Sequence, residues 1–174
     1  MRCFLAVSVP DKIKQQISLY QKQLPSKKLK LVPKKQLHLT LFFWPSLNFS
    51  ARQKVIEATQ KITSSFSPFP LLLSGLEGFP KPQKARVLVL KVEGEGIYRL
   101  FESLKKELKK ANLPLEEREF RPHLTIARFR QPQSLQAFPS FPSLKFTATE
   151  LIFWRSQLTP NGPIHTPLSS FSLK

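Results

Sequence analysis

The sequence predicts an α+β fold, duplicated and bilobal, in which two antiparallel sheets flanked by helices surround a central cleft. The first observation is a repeated motif, with His38 and Thr40 in His-Leu-Thr-Leu and His123 and Thr125 in His-Leu-Thr-Ile. The second is the order of predicted elements: strand, helix, His-x-Thr strand, helix and strand in both halves. Side chains two residues apart share one face of a strand, so each lobe offers an imidazole and a hydroxyl together.

The first strand is predicted over residues 3–9, which are mostly apolar and end at a proline. Asp11 is placed to cap the helix that follows. One face of this helix carries apolar residues at spacings of four, three and four positions, namely Ile13, Ile17, Tyr20 and Leu24.

A lysine-rich connection over residues 25–35 leads to the first His-x-Thr strand, which is predicted over residues 37–43 and ends at Trp44-Pro45. A solvated loop and a contact to a phosphate backbone are both consistent with this connection. Its lysines are Lys27, Lys28, Lys30, Lys34 and Lys35.

The first half closes with a second helix and a strand. Ser50 and Gln53 form a candidate capping box at the start of the helix. A Pro-rich hinge over residues 68–70 then leads into a short strand over residues 71–76. The apolar face of the helix consists of Val55, Ile56, Thr59, Ile62 and Phe66.

The second half repeats this order after a turn over residues 78–82. Residues 85–92 predict a strand, and Gly94 and Gly96 end it. The next helix has the strongest helical periodicity of the chain, with Ile97, Leu100, Phe101, Leu104, Leu108 and Ala111 on one face.

The second His-x-Thr strand is predicted over residues 120–129 and a shortened helix over residues 134–138. Residues 144–158 predict a long strand or a hairpin, and residues 171–173 a last edge strand. These elements indicate a single domain over residues 1–174. Its two pseudo-symmetric lobes comprise about residues 1–80 and 81–174, an arrangement compatible with strand exchange between them.

The charge balance is strongly basic, with 28 Lys and Arg against 11 Asp and Glu and a formal net charge of +17. Such a surface favours a polyanionic partner, either nucleic acid or an anionic membrane. No apolar run approaches the roughly 20 residues of a spanning helix, and the lone Cys3 excludes an internal disulfide. We therefore expect a soluble, cytoplasmic monomer without membrane association.

Two histidines on facing strands suit general acid–base catalysis, because the unperturbed pKa of histidine is about 6.5. A pair can hold one base and one acid, and the neighbouring hydroxyls can donate to phosphate oxygens. The compact acidic run Glu116, Glu117 and Glu119 is expected at the surface and does not resemble a site for Mg²⁺ or Mn²⁺. We predict chemistry at a phosphate without metal or other cofactor.

Arg128 is a candidate phosphate ligand with a geometric condition attached. It lies five residues after His123, so strict alternation would turn its side chain away from the cleft. It reaches the cleft only if the strand ends or bulges there.

Nearly the whole chain resembles the two-histidine phosphoesterase superfamily, which has paired His-x-Ser/Thr motifs in a duplicated bilobal fold. Residues 2–7 are similar to its first strand and residues 37–41 to its first motif. Residues 121–128, Arg-Pro-His-Leu-Thr-Ile-Ala-Arg, resemble the second motif of one branch, the RNA 2′,3′-cyclic phosphodiesterases first known as bacterial 2′-5′ RNA ligases. Residues 156–163 fit the Ser-x-Leu-x-x-x-Gly-Pro ending of that branch.

The resemblance implies metal-independent hydrolysis of a 2′,3′-cyclic phosphate on an RNA end to a 2′-phosphate. By that analogy His123 is the proton acceptor that activates water and His38 is the proton donor to the 3′ oxygen. Thr40, Thr125 and Arg128 would hold the phosphate. RNA is the expected partner, with tRNA fragments as one candidate substrate.

The chain departs from the family pattern at two places. His165 stands where the family usually has an aromatic residue after Gly-Pro, and it is expected at the surface or the cleft rim. Phe42 begins a Phe-Phe-Trp-Pro segment where relatives tend to have Phe-Leu-Gly, and this difference is expected to change how the mouth of the cleft holds a base. Phe42, Arg121 and His165 are candidate RNA contacts.

Two other functions would use the same residues. RNA 2′-5′ ligation shares its transition state with hydrolysis, so the sequence does not separate the two reactions. A non-catalytic module that binds RNA ends or nucleotides is also compatible with the fold, but such a module has no need for an intact His and Thr in both motifs.

Overall fold

The computed structural model describes residues 1–25 and 28–174. Over these residues the chain forms three α-helices and nine strands in two antiparallel sheets, which confirms the predicted α+β architecture. The helices are α1 (Asp11–Gln21), α2 (Phe49–Thr63) and α3 (Glu95–Lys110). None of these described helices combines the length and apolar character that a membrane crossing requires.

Each His-x-Thr strand pairs with the first strand of its own half. The first sheet contains β1 (Cys3–Val7), β3 (Leu39–Trp44), β8 (Glu150–Gln157) and β9 (Ile164–Ser172), in the order β3-β1-β8-β9. The second sheet contains β2 (Leu29–Leu31), β4 (Phe69–Phe79), β5 (Ala85–Glu93), β6 (His123–Gln133) and β7 (Leu144–Ala148), in the order β2-β6-β5-β4-β7.

The two halves of the chain exchange strands. β4 comes from the first half but lies in the second sheet beside β5, and β8 comes from the second half but lies in the first sheet beside β1. A boundary near residue 80 therefore describes the order of elements along the chain, whereas each sheet is built from both halves. β2 and β9 likewise lie in the sheet of the other half.

The predicted starts of two helices are wrong in detail. Asp11 is the first residue of α1, and no side chain caps that helix. α2 is capped by Asn48, whose side-chain oxygen accepts a hydrogen bond from the Ala51 amide at 2.8 Å, and not by Ser50. Asn and Ser are comparably good N-caps, so the sequence alone did not rank these two neighbouring candidates.

Several predicted strand boundaries also change. β4 continues into the predicted turn over residues 78–82, because its pairing with β5 keeps the Gly-containing segment extended. Residues 134–138 form a turn instead of a helix, closed by a hydrogen bond from the Phe138 amide to the Leu135 carbonyl at 3.0 Å. The segment over residues 144–158 is neither one strand nor a hairpin, since β7 and β8 belong to different sheets.

The C-terminal segment and the lysine-rich connection contain more strand than expected, whereas β1 ends two residues before the predicted residue 9. β9 extends well beyond the predicted edge strand over residues 171–173. The connection over residues 25–35 includes β2, which pairs with β6. Its described lysines do not line the cleft between β3 and β6, and Lys27 lies outside the described residues.

Candidate active site

The two His-x-Thr motifs face each other across a cleft between β3 and β6. Three aliphatic residues of the motifs, Leu39, Leu124 and Ile126, are buried in the core away from the cleft, as strand alternation predicts. Leu41 is also buried but borders the cleft. The cleft has a volume of about 890 Å³. Its lining includes all five residues proposed for the chemistry: His38, Thr40, His123, Thr125 and Arg128.

A β-bulge in β6 brings Arg128 to the cleft. Thr125 and Ala127 pair with adjacent residues of β5, so Ile126 is an extra residue in the register. An extra residue reverses the alternation of side chains beyond it. Arg128 therefore lies on the same side of the strand as His123, which meets the geometric condition stated for it.

The same bulge occurs in β3. Thr40 and Phe42 pair with adjacent residues of β1, so Leu41 is the extra residue. The reversal turns Phe43 toward the cleft, at the position that corresponds to the arginine of β6. The guanidinium of Arg2 lies over the Phe43 ring, 4.4 Å from its centroid, so the first lobe also brings an arginine to the cleft.

Both motif histidines are held in the same way. The Nδ1 atom of His38 lies 2.6 Å from the carbonyl oxygen of Gln36, and the Nδ1 atom of His123 lies 2.7 Å from that of Arg121. A carbonyl oxygen only accepts, so Nδ1 carries the proton and donates it. The Nε2 atom of each ring is left to exchange a proton with a ligand.

Burial favours the neutral form of both rings. Burial is the main reason that the pKa of His38 falls to about 4; the hydrogen bond to Gln36 opposes this shift, and nearby positive groups add to it. The pKa of His123 is also lowered, again mainly by burial. The proton-donor role assigned to His38 requires its imidazolium form, which the free protein disfavours. A bound phosphate anion would favour that form, because a nearby opposite charge stabilises the cation.

Aromatic side chains supply the apolar surroundings of the histidines. Phe4 stacks on His38 with 4.6 Å between ring centroids, and Phe79 lies edge-on to His123 at 5.0 Å. Phe42 is only 7% exposed and stacks on Phe101 at 4.7 Å. Phe42 therefore packs mainly in the core and offers little surface to a base.

Arg121 lies at the margin of the cleft. Its side chain is exposed, and its Nε atom is 3.6 Å from a carboxylate oxygen of Glu119. An exposed ion pair of this kind contributes little to stability. The contribution of Arg121 that the structure shows is its backbone carbonyl, which holds His123.

A turn near the C-terminus is attached to the first motif. The Thr159 hydroxyl donates to the Gly162 carbonyl at 2.5 Å, and Gly162 has a φ of +113°, which favours glycine. The Gln36 side-chain amide donates to the Pro163 carbonyl at 2.7 Å. Because the Gln36 carbonyl also holds His38, one residue connects the first motif to this turn.

His165 follows this turn and lies beside His38 in the cleft. Its ring centroid is 5.6 Å from that of His38 and 4.8 Å from that of Phe4, edge-on in both cases. The structure thus brings together all three histidines of the sequence.

Sequence reasoning missed three residues of this site. Arg2 and Phe4 were assigned only to the first strand, and Gln36 was assigned to no element. Arg2 directly precedes the first buried strand, and a cation at that position is only a weak indication of a binding residue. No pattern in the sequence indicated the double role of Gln36.

Across residues 1–25 and 28–174, no three His, Cys, Asp or Glu side chains lie close enough together to hold a metal ion. That the chemistry needs no cofactor stays a prediction, and activity in the presence of a chelator would test its metal-free part.

Paired His-x-Thr strands that face each other in a bilobal α+β fold define the class of two-histidine phosphoesterases. The chain belongs to the 2′-5′ RNA ligase superfamily, whose family model matches residues 9–160.

Relatives with similar sequences span the full chain. A protein of Archaeoglobus fulgidus named RNA 2′,3′-cyclic phosphodiesterase is 32% identical, with 98% of this chain and 99% of the relative covered. A protein of the same name from Thermus thermophilus is 30% identical, with 100% of this chain and 91% of the relative covered.

Solved structures show the same fold. The crystal structure of a Thermus thermophilus protein has a TM-score of 0.88 at 30% identity, with 99% of this chain and 98% of that chain covered. The structure of LigT from E. coli complexed with 3′-AMP has a TM-score of 0.83 at 23% identity, with 99% and 97% covered.

Proposed function

We propose that this protein is an RNA 2′,3′-cyclic phosphodiesterase, which hydrolyses 2′,3′-cyclic phosphate ends of RNA to 2′-phosphate ends. The observation that carries the proposal is the pair of histidines in one cleft, each held by a carbonyl at Nδ1. Two such groups can accept and deliver protons on opposite sides of one phosphorus atom. The names of relatives that span the chain support this activity.

In the proposed reaction, water attacks the phosphorus and the bond from phosphorus to the 3′ oxygen breaks. Nε2 of His123 accepts the proton that the water loses. Nε2 of His38 gives a proton to the departing 3′ oxygen, so the products are a 2′-phosphate and a 3′-hydroxyl. Because the cyclic phosphate is an anion, its binding raises the pKa of His38 and supplies the imidazolium that this step needs.

The remaining cleft residues hold the phosphate. The hydroxyls of Thr40 and Thr125 stand beside their histidines, and the bulge adds the guanidinium of Arg128. Donors aimed at the phosphate oxygens stabilise the charge of the transition state.

The partner that we propose is an RNA end, with tRNA fragments as one candidate source. A formal charge of +17 attracts the phosphate backbone of RNA. Part of this charge lies in the cleft, which is lined by Arg2, Arg118, Arg121 and Arg128.

We also propose that the protein acts as a cytoplasmic monomer.

The test uses a short RNA that ends in a 2′,3′-cyclic phosphate, incubated with the protein in excess EDTA. The expected product is a 2′-phosphate end, formed at the same rate with and without the chelator. Activity that EDTA abolishes and a divalent metal restores would contradict metal-free chemistry. RNA binding without hydrolysis would favour the non-catalytic module, and a 2′-5′ junction formed with added 5′-hydroxyl RNA would show ligation.

Replacing Arg128 by alanine is expected to lower kcat/KM by ~10²-fold, because one donor to the transition-state phosphate is lost. Arg128→Lys should recover only part of this loss, since lysine keeps the charge but not the forked donor geometry. Steady-state kinetics with the cyclic-phosphate RNA measures both effects. Arg130→Ala is the matched control, because Arg130 is exposed on the same strand and does not line the cleft. Equal losses in the two alanine variants would mean that Arg128 acts only through general charge.

A further inference from the structure

His165 differs from the motif histidines in how its ring is held. Its Nδ1 atom is buried and has no hydrogen-bond partner within the described residues. The Nδ1 atoms of His38 and His123 each face a backbone carbonyl instead. A buried N–H without an acceptor is costly, so the proton of a neutral His165 belongs on Nε2. The neutral ring of His165 is therefore the opposite tautomer from those of the two motif histidines.

The Nε2 atom of His165 is the one that a ligand can reach. The residue lies in β9 opposite Ser156 and lines the cleft. Its Nδ1 atom is closed off from the surface, which leaves Nε2 as the ring nitrogen available to a ligand in the cleft. Burial and the positive charge of Arg2 lower the pKa of His165, which favours a neutral ring with an N–H at the cleft.

We propose that His165 donates a hydrogen bond from Nε2 to an oxygen of the bound phosphate on the His38 side and takes no part in proton transfer. The inference rests on the proposed function for the identity of that phosphate. The two rings lie edge-on with centroids 5.6 Å apart. His38 must approach the 3′ oxygen. The atoms within reach of the adjacent His165 are therefore the other oxygens on the same phosphorus. A neutral donor at that position stabilises transition-state charge without taking up a proton.

The tautomer can be measured without any substrate. The chain has 3 histidines, so ring ¹⁵N NMR of the protein with labelled histidine gives one pattern for each. At alkaline pH we expect two rings protonated at Nδ1 and one at Nε2, and His165→Phe should remove the latter pattern. Inorganic phosphate should shift the Nε2 resonance of His165. An Nδ1-protonated His165, or no response of its Nε2 to phosphate, would overturn the proposal.

Kinetics separates a donor from a structural ring or a proton carrier. His165→Gln places an amide N–H near the position of Nε2 and should keep kcat within about threefold of wild type, whereas His165→Phe keeps the ring but should lose ~10²-fold. The wild-type pH profile is expected to be bell-shaped, because one motif histidine must be neutral and the other charged. Both variants should retain this profile, and thermal unfolding should show that both are folded. Equal losses in folded variants, or the disappearance of one limb of the pH profile, would rule out a pure donor. If wild type hydrolyses no cyclic phosphate, the proposed function fails, and the NMR result still decides the tautomer and the phosphate contact.

Discussion

Replacing either motif histidine by alanine is expected to lower kcat by ~10²–10⁴-fold, the usual contribution of one general acid or base. The binding of RNA should change little, because the arginines of the cleft remain. Single-turnover hydrolysis of the cyclic-phosphate RNA measures the chemical step, and a binding assay with the same RNA reports affinity. The losses in His38→Ala and His123→Ala should not add up in the double variant, since the two groups act in one step.

The same variants show which histidine is the acid. A substrate with sulfur in place of the 3′ oxygen has a leaving group that needs no proton. It should restore much of the rate to the variant that lacks the acid, which we expect to be His38→Ala, and little to the other. Rescue of His123→Ala instead would reverse the proposed roles. Lys106→Ala, on the exposed face of α3, is the control for an unrelated cation. Wild-type kcat in either histidine variant would exclude that residue from proton transfer.

Acid is expected to destabilise the free protein through His38. Its pKa is about 4 in the folded protein, against an ordinary value of 6.5. The unfolded chain therefore takes up a proton before the folded protein does, and the stability present above pH 6.5 is lost as the pH falls toward about 4. The shift corresponds to about 3 kcal/mol in the free energy of unfolding.

Denaturant unfolding at several pH values measures this loss. The matched variant is His38→Asn, whose amide N–H can still donate to the Gln36 carbonyl but does not titrate in this range. The difference in unfolding free energy between wild type and variant should shrink by roughly the full amount on acidification. Parallel curves for the two proteins would show that His38 has the same pKa in the folded and unfolded states.

The faces of the motif strands could be predicted because alternation depends only on the backbone. Leu39 and Leu124 are fully buried, while His38 and His123 line the cleft on the opposite side. Burial of the aliphatic residues fixes the register of each strand. The positions of both histidines therefore followed from the two motifs alone.

The place of Arg128 and the partners of β8 could not be predicted in the same way. The bulge at Ile126 carries no glycine or proline signal, and it is set by how β6 fits against β5. The pairing of β8 with β1 joins segments from opposite ends of the chain, and periodicity within a segment says nothing about a distant partner. His165 was expected at the surface or the cleft rim, because its position beside His38 depends on the turn that Gln36 holds.

The exchange of strands has a consequence for how the protein is made. Cys3 in β1 pairs with Arg155 in β8, which lies far along the chain. During synthesis the first sheet can therefore contain only β1 and β3 until β8 has left the ribosome. A two-stranded sheet is marginally stable at best in water, and such long-range pairing forms slowly. The environment of His38 is therefore completed late in biosynthesis, and a chain that stops before β8 leaves the edge of β1 open to aggregation.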